Sequence, residues 1–440
     1  MRNIIISFLL LCLFITCTSY AQETLTLEKS IQIALQKSPT MLKVRAEIEA
    51  AEGLAGQAVA GFLPQLALSG RVGKYYSEPQ TVEMTISGTP SVFSFGTDEQ
   101  ADLTSYSASL TQAIFTGGKL TNSLAMANKG LDFAKQELRR VSEEVKFNVI
   151  NAYYGVSKAK KFVELSEQSV KMAKNHLERI QTLLQHGMST RADVLRAEVQ
   201  VAQAEVVFTK AKQALEIAKN SFNNSLGLDL DTPVELTQMD YDLKNVRLYD
   251  YKELLKIAYE DRPDWKQYVL VKEVSKAEVG MAYSGLWPMI SLVGNYDIGS
   301  TKYSSYQSDS KTWTALLSGT WNIFDGTATW NKIKEAQAKL KAQQADEINV
   351  KRGIALEVKD ANFALKSAKE NISGTSKALE LAEENYNIAG ERYSAGVGTN
   401  LEVIDAQVAV TQARTEQLQA QHDLQIAKAR INKVVGRKIY

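Results

Sequence analysis

The chain has 440 residues and repeats itself, and this internal duplication restricts its possible folds more than any other feature. The segment IFTG at 114–117 is matched by IFDG at 323–326, an offset of 209 residues. The segment HGMST at 186–190 is matched by AGVGT at 395–399 at the same offset. A repeat of this length indicates two copies of one structural unit, so the fold must be built twice from the same elements.

Towards the start of each repeat the offset is larger. The segment FLP at 62–64 corresponds to LWP at 286–288, an offset of 224, so one segment of the second repeat is 15 residues shorter. A local difference in length of this kind predicts a surface loop. The chain then divides into a leader at 1–21, a first repeat at 22–228, a linker or equatorial segment at 229–250, and a second repeat at 251–440.

Long stretches of each repeat carry apolar residues every three or four positions and contain no proline. The pattern covers residues 131–184 in the first repeat and 340–389 in the second. A 3.5-residue period kept over so long a stretch is typical of a coiled-coil helix. It predicts long helices at about 118–186 and 327–395, each about 100 Å long at a rise of about 1.5 Å per residue.

Shorter helical segments complete each repeat. After glycine-containing turns, residues 190–225 and 399–435 predict return helices that run antiparallel to the long ones. They cover roughly half of each long helix, and the helical stretches 39–61 and 263–285 cover the rest. We therefore expect one long helix in each repeat, flanked by two shorter helices laid end to end.

In four segments the period changes to two. Apolar and small polar residues alternate there, which predicts β-strands at about 62–76, 103–115, 288–300 and 312–324. Such strands are typical of an outer-membrane β-barrel, although an antiparallel sheet with one face in water gives the same alternation. Because about eight strands are needed to close a barrel, four membrane strands must be shared with other copies. The pattern therefore predicts an oligomer.

The first 21 residues have the composition of a secretory signal peptide. Arg2 is followed by an apolar run at 4–15 and by Ser-Tyr-Ala at 19–21, a small-x-small cleavage site. The run is shorter than the ~20 residues that a membrane span needs. We predict export and cleavage after Ala21. Lipidation at Cys17 is the alternative, although the preceding Phe-Ile-Thr is a poor lipobox.

Composition excludes several classes of function. The chain has 51 Lys and Arg residues against 50 Asp and Glu residues, so its net charge of +1 gives no basis for a nucleic-acid partner. Both cysteines lie in the leader, which excludes disulfides and thiolate metal sites from the mature chain. His176, His186 and His422 lack ligands at metal-binding spacing and are expected in solvent or at the core edge. No catalytic residue, metal or cofactor is predicted, so a partner must supply energy for any transport.

The order of these features resembles the TolC-type outer-membrane efflux channel family. The segment 25–39 is similar to the first helix of that family, 62–64 to the start of its first strand, and 393–406 to its second helical turn. The resemblance implies a mainly α fold with a small membrane β part, built from duplicated helix–β-hairpin–helix units. Three copies would then form a homotrimer, in which long coiled-coil helices make an α-barrel topped by a 12-stranded β-barrel in outer-membrane lipid.

The same resemblance implies a function. The protein would be the outer-membrane exit duct of a tripartite export system in a double-membrane bacterium, and not an enzyme. It would conduct passively what an inner-membrane pump and a periplasmic membrane-fusion adapter deliver. The alternatives are a type I protein-secretion duct or a metal-efflux duct of the same architecture. An exported structural or adhesive coiled coil would explain the helices, but neither the strands nor the duplicated turns.

The resemblance also assigns a gate at the periplasmic mouth. Family members carry two acidic residues, three positions apart, around the constricted entrance, and a tyrosine–aspartate–arginine network that closes it. Gly398 holds the place of that arginine here, and Arg196 is the candidate substitute. Residues 399–402 and 190–193 have the sequence of a capping box, so Glu402 and Asp193 can also stabilise the start of a helix. The implied gate residues are Glu402, Asp405, Asp193, Tyr393 and Arg196.

The two glycine-containing turns are assigned to the adapter. In the family these turns meet the periplasmic adapter, whereas their glycines also permit a tight connection between helices. The implied docking residues are Gly187, Met188 and Ser189 in the first turn, and Gly396, Val397 and Gly398 in the second.

Overall fold

A computed structural model describes residues 24–95, 99–237, 246–304 and 306–440. The expected leader at 1–21, with its cleavage site and Cys17, lies outside the described residues. So does the part of the expected linker at 238–245. All of the residues assigned to the gate and to docking lie within the described ranges.

The described part of the chain contains eight α-helices, four from each repeat. The two longest have 67 residues each, and the helices that follow them have 36 each. The ends of these four helices lie within one residue of the ends expected from the apolar period. The helices are α1 (Leu27–Lys37), α2 (Pro39–Ala60), α3 (Lys119–Gln185), α4 (Arg191–Leu226), α5 (Tyr251–Asp261), α6 (Pro263–Tyr283), α7 (Ala328–Ser394) and α8 (Asn400–Val435).

The short helix α5 is the second-repeat counterpart of α1. Thr26 precedes α1 and its hydroxyl accepts a hydrogen bond from the Lys29 amide at 3.3 Å. Asp250, 224 positions later, precedes α5 and accepts from the Lys252 amide at 3.1 Å. Both side chains satisfy an amide that has no partner inside its helix. The duplication therefore includes the helix starts as well as the long helices.

The chain forms two compact units, and each unit takes parts from both repeats. The first unit comprises the chain up to Ala46, Gln136–Lys266 and Val350–Tyr440, and the second comprises Glu47–Lys135 and Gln267–Asn349. The repeats expected at 22–228 and 251–440 therefore describe how the sequence is duplicated. They are not the compact units of the structure.

The core of the first unit is built twice, from equivalent positions. One cluster packs residues of α1, α3 and α4, and a second packs residues of α5, α7 and α8. Four equivalent pairs of positions are equally buried in the two clusters. The pairs are Val149 and Val358, Phe222 and Ile431, Leu226 and Val435, and Ala34 and Ala258, all between 0% and 1% exposed.

The described residues of the second unit form six strands. They are β1 (Gln65–Ser77), β2 (Gln80–Ile86), β3 (Thr89–Phe95), β4 (Glu99–Phe115), β5 (Met289–Lys302) and β6 (Gln307–Thr320). Four of them form one antiparallel sheet in the order β1–β4–β5–β6, so strands of the first repeat pair with strands of the second. The outer strands β1 and β6 pair on one side only within the described chain.

The register of this sheet gathers apolar residues on one face. A row across the four strands contains Leu68, Ala108, Tyr296 and Trp313, and the next row contains Leu66, Leu110, Gly294 and Ala315. The row between them, on the opposite face, contains Ala67, Ser109, Asn295 and Thr314. Leu68 is 80% exposed and Trp313 is 74% exposed. The apolar face is therefore uncovered in a single chain.

The extra length of the first repeat is a β-hairpin, where the sequence predicted a surface loop. Strands β2 and β3 pair with each other from Gln80↔Phe95 to Ile86↔Thr89. Ser87 and Gly88 connect them, and both have positive φ, which suits a two-residue hairpin turn. The prediction considered only the difference in length, whereas Val82, Met84 and Ile86 alternate with polar residues as in the other strands.

Within the described residues, no helix combines the length and the apolarity needed to cross a membrane.

Candidate functional site

The candidate site is built on two equivalent helix–helix turns in the first unit. Residues 186–190 join α3 to α4, and residues 395–399 join α7 to α8. Gly187 and Gly396 have φ of 73° and 72°, a left-handed conformation that ends each long helix. The amide of Gly187 donates to the Leu184 carbonyl at 3.0 Å, and that of Gly396 donates to the Tyr393 carbonyl at 3.1 Å.

Gly398 is required by space as well as by the turn. Its amide donates to the Arg392 carbonyl at 3.0 Å. A Cβ added at this position would lie 2.9 Å from the Tyr393 nitrogen and 3.0 Å from the Arg392 Cβ. The glycine therefore lets the chain pass close to the end of α7. This contact gives a local structural reason for glycine where the family resemblance implies an arginine.

Among the docking residues, the structure exposes one apolar side chain in each turn. Met188 and Val397 occupy equivalent positions in the two repeats, and each is 68% exposed. Ser189 is half-buried, and its hydroxyl has no hydrogen-bond partner in the part of the chain that the structure describes. Each chain therefore exposes one apolar side chain in each turn, at equivalent positions of the two repeats.

The two expected capping boxes differ. Thr190 and Asp193 form a complete one, in which the Thr190 hydroxyl accepts from the Asp193 amide at 3.2 Å and the Thr190 amide donates to the Asp193 carboxylate at 3.2 Å. In the second turn only the bond from the Glu402 amide to the Thr399 hydroxyl is present, at 3.2 Å. The Glu402 carboxylate instead lies 3.6 Å from Nε of Arg392. The half-formed second box is a departure from the sequence expectation.

A buried hydrogen-bond chain links the two turns, and sequence reasoning missed it. Nε2 of His176 lies 2.8 Å from Oδ1 of Asn400, and Nδ2 of Asn400 donates to the carbonyl and to Oδ1 of Asp193 at 3.2 and 3.3 Å. His176 is 7% exposed and Asn400 is 4% exposed. His176 is thus buried and bonded, where the sequence placed it in solvent or at the core edge. The two residues lie 224 positions apart, and no local pattern marks such a pair.

The electrostatics of this chain favour an ionised Asp193 and a neutral His176. Hydrogen bonds from Thr190 hold the pKa of Asp193 below its ordinary range, with smaller contributions from Asn400 and from the charge of Arg196. Burial lowers the pKa of His176, and the nearby charge of Arg179 lowers it further, whereas the bond to Asn400 opposes the shift. The hydrogen-bonded set therefore contains one negative charge, on Asp193, and one imidazole, that of His176, which burial keeps neutral.

Tyr393 joins the two turns by packing. Its ring contacts the buried cluster of Ile180, Val194 and Ala197 and also the cluster of Ala389, Val403 and Ala406. Its centroid lies 5.9 Å from that of His176. Its hydroxyl has no hydrogen-bond partner among the described residues, so in this chain Asn400, and not Tyr393, contacts Asp193.

The remaining gate candidates are at the surface. Asp405 is exposed, and its carboxylate has no hydrogen-bond or ion-pair partner in the described ranges. Arg196 is also exposed and forms no ion pair with Asp193, on which it acts only through its charge. The structure thus brings Asp193 and Tyr393 to one junction, and it leaves Asp405 and Arg196 outside that junction. Arg392, which sequence reasoning did not single out, is the arginine that contacts a gate candidate.

No group of three or more His, Cys, Asp or Glu residues within the described ranges is arranged to hold a metal ion.

Comparison with known proteins relates this arrangement to channels. The family model described as "Outer membrane efflux protein" matches residues 30–228 and 254–437. The chain is 25% identical to Protein CyaE of Bordetella pertussis over 389 residues, covering 88% of this chain and 78% of CyaE. It is 20% identical to the alkaline protease secretion protein AprF of Pseudomonas aeruginosa over 412 residues, covering 92% of this chain and 83% of AprF.

A solved structure of CusC has the same fold. That structure was described in connection with folding and transmembrane channel formation. It aligns with a TM-score of 0.80 at 17% identity, covering 93% of this chain and 92% of CusC. At this identity the match establishes the fold alone.

Proposed function

The chain belongs to the outer membrane efflux protein family, and from that premise we propose that it is the exit duct of a three-part export system. It conducts passively what an inner-membrane pump and a periplasmic adapter deliver to it. Members of the family are channels rather than enzymes, and we propose the same role for this chain.

The four-stranded sheet carries this proposal. Among the described residues, its two edge strands pair on one side only, and its apolar face is exposed. Unpaired edges are not tolerated in lipid, so the sheet must continue into other copies of the chain. Three copies supply twelve strands, which exceeds the roughly eight strands that a closed barrel needs. The apolar face would then contact outer-membrane lipid, and the polar face would line the duct.

Exposed apolar seams on two different helices support a ring of copies. On α4, Leu195, Val199 and Val206 are 48%, 56% and 53% exposed. On α7, Leu381 and Ile388 are 52% and 48% exposed and lie seven residues apart. Both sets follow the spacing of a coiled-coil seam, and neither is covered by the described part of the chain. Because the seams are different surfaces, pairing one with the other gives a head-to-tail contact, and such a contact forms a ring when its rotation closes.

The two turns would form the periplasmic mouth of this duct. Glu402 and Asp405 are both exposed on α8 and lie three residues apart, so they share one helix face. In a trimer, six such carboxylates would surround the entrance and raise the local concentration of cations. Met188 and Val397 would be the contacts that the adapter covers. Arg196 and Tyr393 remain proposed gate residues.

We place the protein in the outer membrane with a large periplasmic portion. Family membership supports the outer membrane. The proposed signal peptide, cleaved after Ala21, would account for export.

A protein client is the second candidate for the exported substrate. AprF, which aligns along 92% of this chain, is described as an alkaline protease secretion protein. Deleting the gene distinguishes a protein client from a toxic small molecule. The deletion strain is compared with the parent strain for its susceptibility to toxic small molecules and for the set of proteins that it secretes. A loss confined to secreted proteins would assign the chain to secretion, and a gain in susceptibility alone would assign it to efflux.

The duct itself is tested in a planar lipid bilayer. Purified mature protein should give discrete, stable conductance steps once inserted. Protein that is folded and inserted, but gives no conductance at any voltage or pH, would contradict the proposal.

A further inference from the structure

The buried His176 has no role in the duct as proposed so far. It lies on α3, ten residues before the first turn, and it bonds to Asn400, the first residue of α8 after the second turn. Asn400 in turn bonds to Asp193 near the start of α4. These three side chains therefore tie both turns of one chain together. Asn400 is the middle residue, and the titratable imidazole of His176 forms one end of this set of bonds between helices of the two repeats.

The bond directions follow from the donors available. The amide nitrogen of Asn400 donates to Asp193, so its oxygen Oδ1 is the acceptor that faces His176. Nε2 of His176 must then carry a hydrogen and donate it, which leaves Nδ1 without one in the neutral ring. A second proton would enter at Nδ1, which has no acceptor among the described residues. It would also place a positive charge in a position that is 7% exposed.

Resting on the proposed duct, we propose that His176 is a pH-sensitive latch between the two turns of each chain. The neutral imidazole holds Asn400 and keeps the turns together. A protonated imidazole is unstable in this buried position, and the turns separate to expose it to water. The mouth of the duct is therefore held more tightly at neutral pH than at mildly acidic pH.

The charged groups around the latch modify the effect of burial on His176. Arg179 on the same helix opposes a positive charge on His176, and Arg196 on α4 acts on Asp193. Asp193, the one negative charge in the chain of bonds, is separated from the imidazole by Asn400. The other facing groups are the ring of Tyr393 on α7 and the amide of Asn400 on α8. Burial is the largest effect, so it decides the outcome.

The pH range follows from linkage. In the joined state the pKa of His176 lies below the ordinary value of 6.5. When the turns separate and the ring meets water, its pKa returns towards that value. The separated state then binds protons more readily, so it gains population as the pH falls below about 6.5. Above that pH both states are neutral at His176, and the latch has its full strength.

The test compares single-channel records of the reconstituted protein between pH 7.5 and pH 5. The open probability or conductance of the unaltered protein should rise several-fold as the pH falls. His176→Gln keeps a hydrogen-bond donor but cannot titrate in this range, so its records should not change with pH. His422 lies on α8 away from both turns, so His422→Gln is the matched control and should keep the full response. An equal pH response in His176→Gln and the unaltered protein would overturn the latch. If both proteins still conduct, that result would not count against the proposed duct.

A second measurement does not depend on how a variant folds. Hydrogen–deuterium exchange at the histidine carbon, read by mass spectrometry on the unaltered assembly, gives the pKa of His176 directly. The latch requires a value below that of a free histidine. A value equal to or above it would overturn the proposal.

Discussion

At the scale of single residues, Glu402 and Asp405 have different surroundings although they share a helix face. Glu402 lies 3.6 Å from Arg392 and uses its amide in a helix cap, whereas Asp405 has no partner among the described residues. An exposed, unpaired carboxylate is little screened by the protein and can attract cations from solution. Asp405 is therefore the stronger candidate for the pore, and Glu402 has a local role as well.

Replacing both carboxylates should change how the duct treats cations. For Glu402→Ala combined with Asp405→Ala, we expect weaker cation selectivity and a trivalent cation that blocks at about tenfold higher concentration. Tenfold corresponds to about 1.4 kcal/mol of lost attraction. Single-channel recording measures both quantities. Glu416→Ala with Asp423→Ala removes two exposed carboxylates farther along the same helix and should alter neither. Equal behaviour of the two double variants would remove the gate assignment.

Docking is best tested at Val397 and Met188. A side chain at Gly398 would collide with the backbone of α7, so loss of export in such a variant would not separate docking from damage to the turn. Val397 and Met188 are each 68% exposed, and changing them leaves the turn intact. We expect Val397→Glu and Met188→Glu to reduce export at least tenfold, while the assembly still inserts in the membrane.

The matched control is Val397→Thr, which keeps the shape of the side chain without adding a charge. It should export close to normally, because a hydroxyl is far cheaper to cover than a carboxylate. Full export by both glutamate variants would place the adapter contact elsewhere on the chain.

At the scale of helices and strands, most of the helix and strand positions were predicted from local periodicity. The apolar period, together with the glycine-containing turns, placed the ends of α3, α4, α7 and α8 within one residue. The β-hairpin of β2 and β3 was missed because a difference in length was interpreted without the alternation inside it. The bond between His176 and Asn400 was out of reach, since tertiary packing alone brings positions 224 apart together.

The starts of α4 and α8 should differ in stability. Thr190→Ala removes the two bonds of the Thr190 hydroxyl, which accepts from the Asp193 amide and donates to the Asp193 carboxylate, and should cost about 1 kcal/mol. Thr399→Ala removes only the bond from the Glu402 amide and should cost less. Hydrogen exchange of the first helical turn measures the difference, and 1 kcal/mol corresponds to roughly fivefold faster exchange. Equal costs would mean that the Thr399 hydroxyl makes a second bond in solution, as the Thr190 hydroxyl does.

The cost of Thr190→Ala should also depend on pH. Thr190 lowers the pKa of Asp193, and a lowered carboxyl pKa contributes stability above the ordinary value of 3.8. That contribution is lost as the pH falls through the lower, folded-state pKa. The difference between Thr190→Ala and the unaltered protein should therefore be full at pH 7 and shrink in strong acid. The same exchange experiment, repeated at low pH, checks the sign.

At the scale of the whole molecule, the duplication accounts for the repeated core but not for the side chains at the two helix–helix turns. Equivalent core positions such as Phe222 and Ile431 are equally buried, so one packing solution serves both repeats. The turns have diverged: Asp193 corresponds to Glu402, and Arg196 corresponds to Asp405. Sequence alone therefore predicted the repeated scaffold and the family, and the family is confirmed. The bonds that distinguish one turn from the other needed the structure.

We propose that several copies of the chain complete a duct that one chain cannot form. Within the described residues, the sheet of one chain has two open edges and an exposed apolar face, and both features require neighbouring copies if the sheet lies in lipid. Native mass spectrometry measures the mass of the particle that a mild detergent extracts from the outer membrane. We expect three copies of the mature chain in one particle. A stable monomer, or a particle that is not a multiple of three chains, would contradict it.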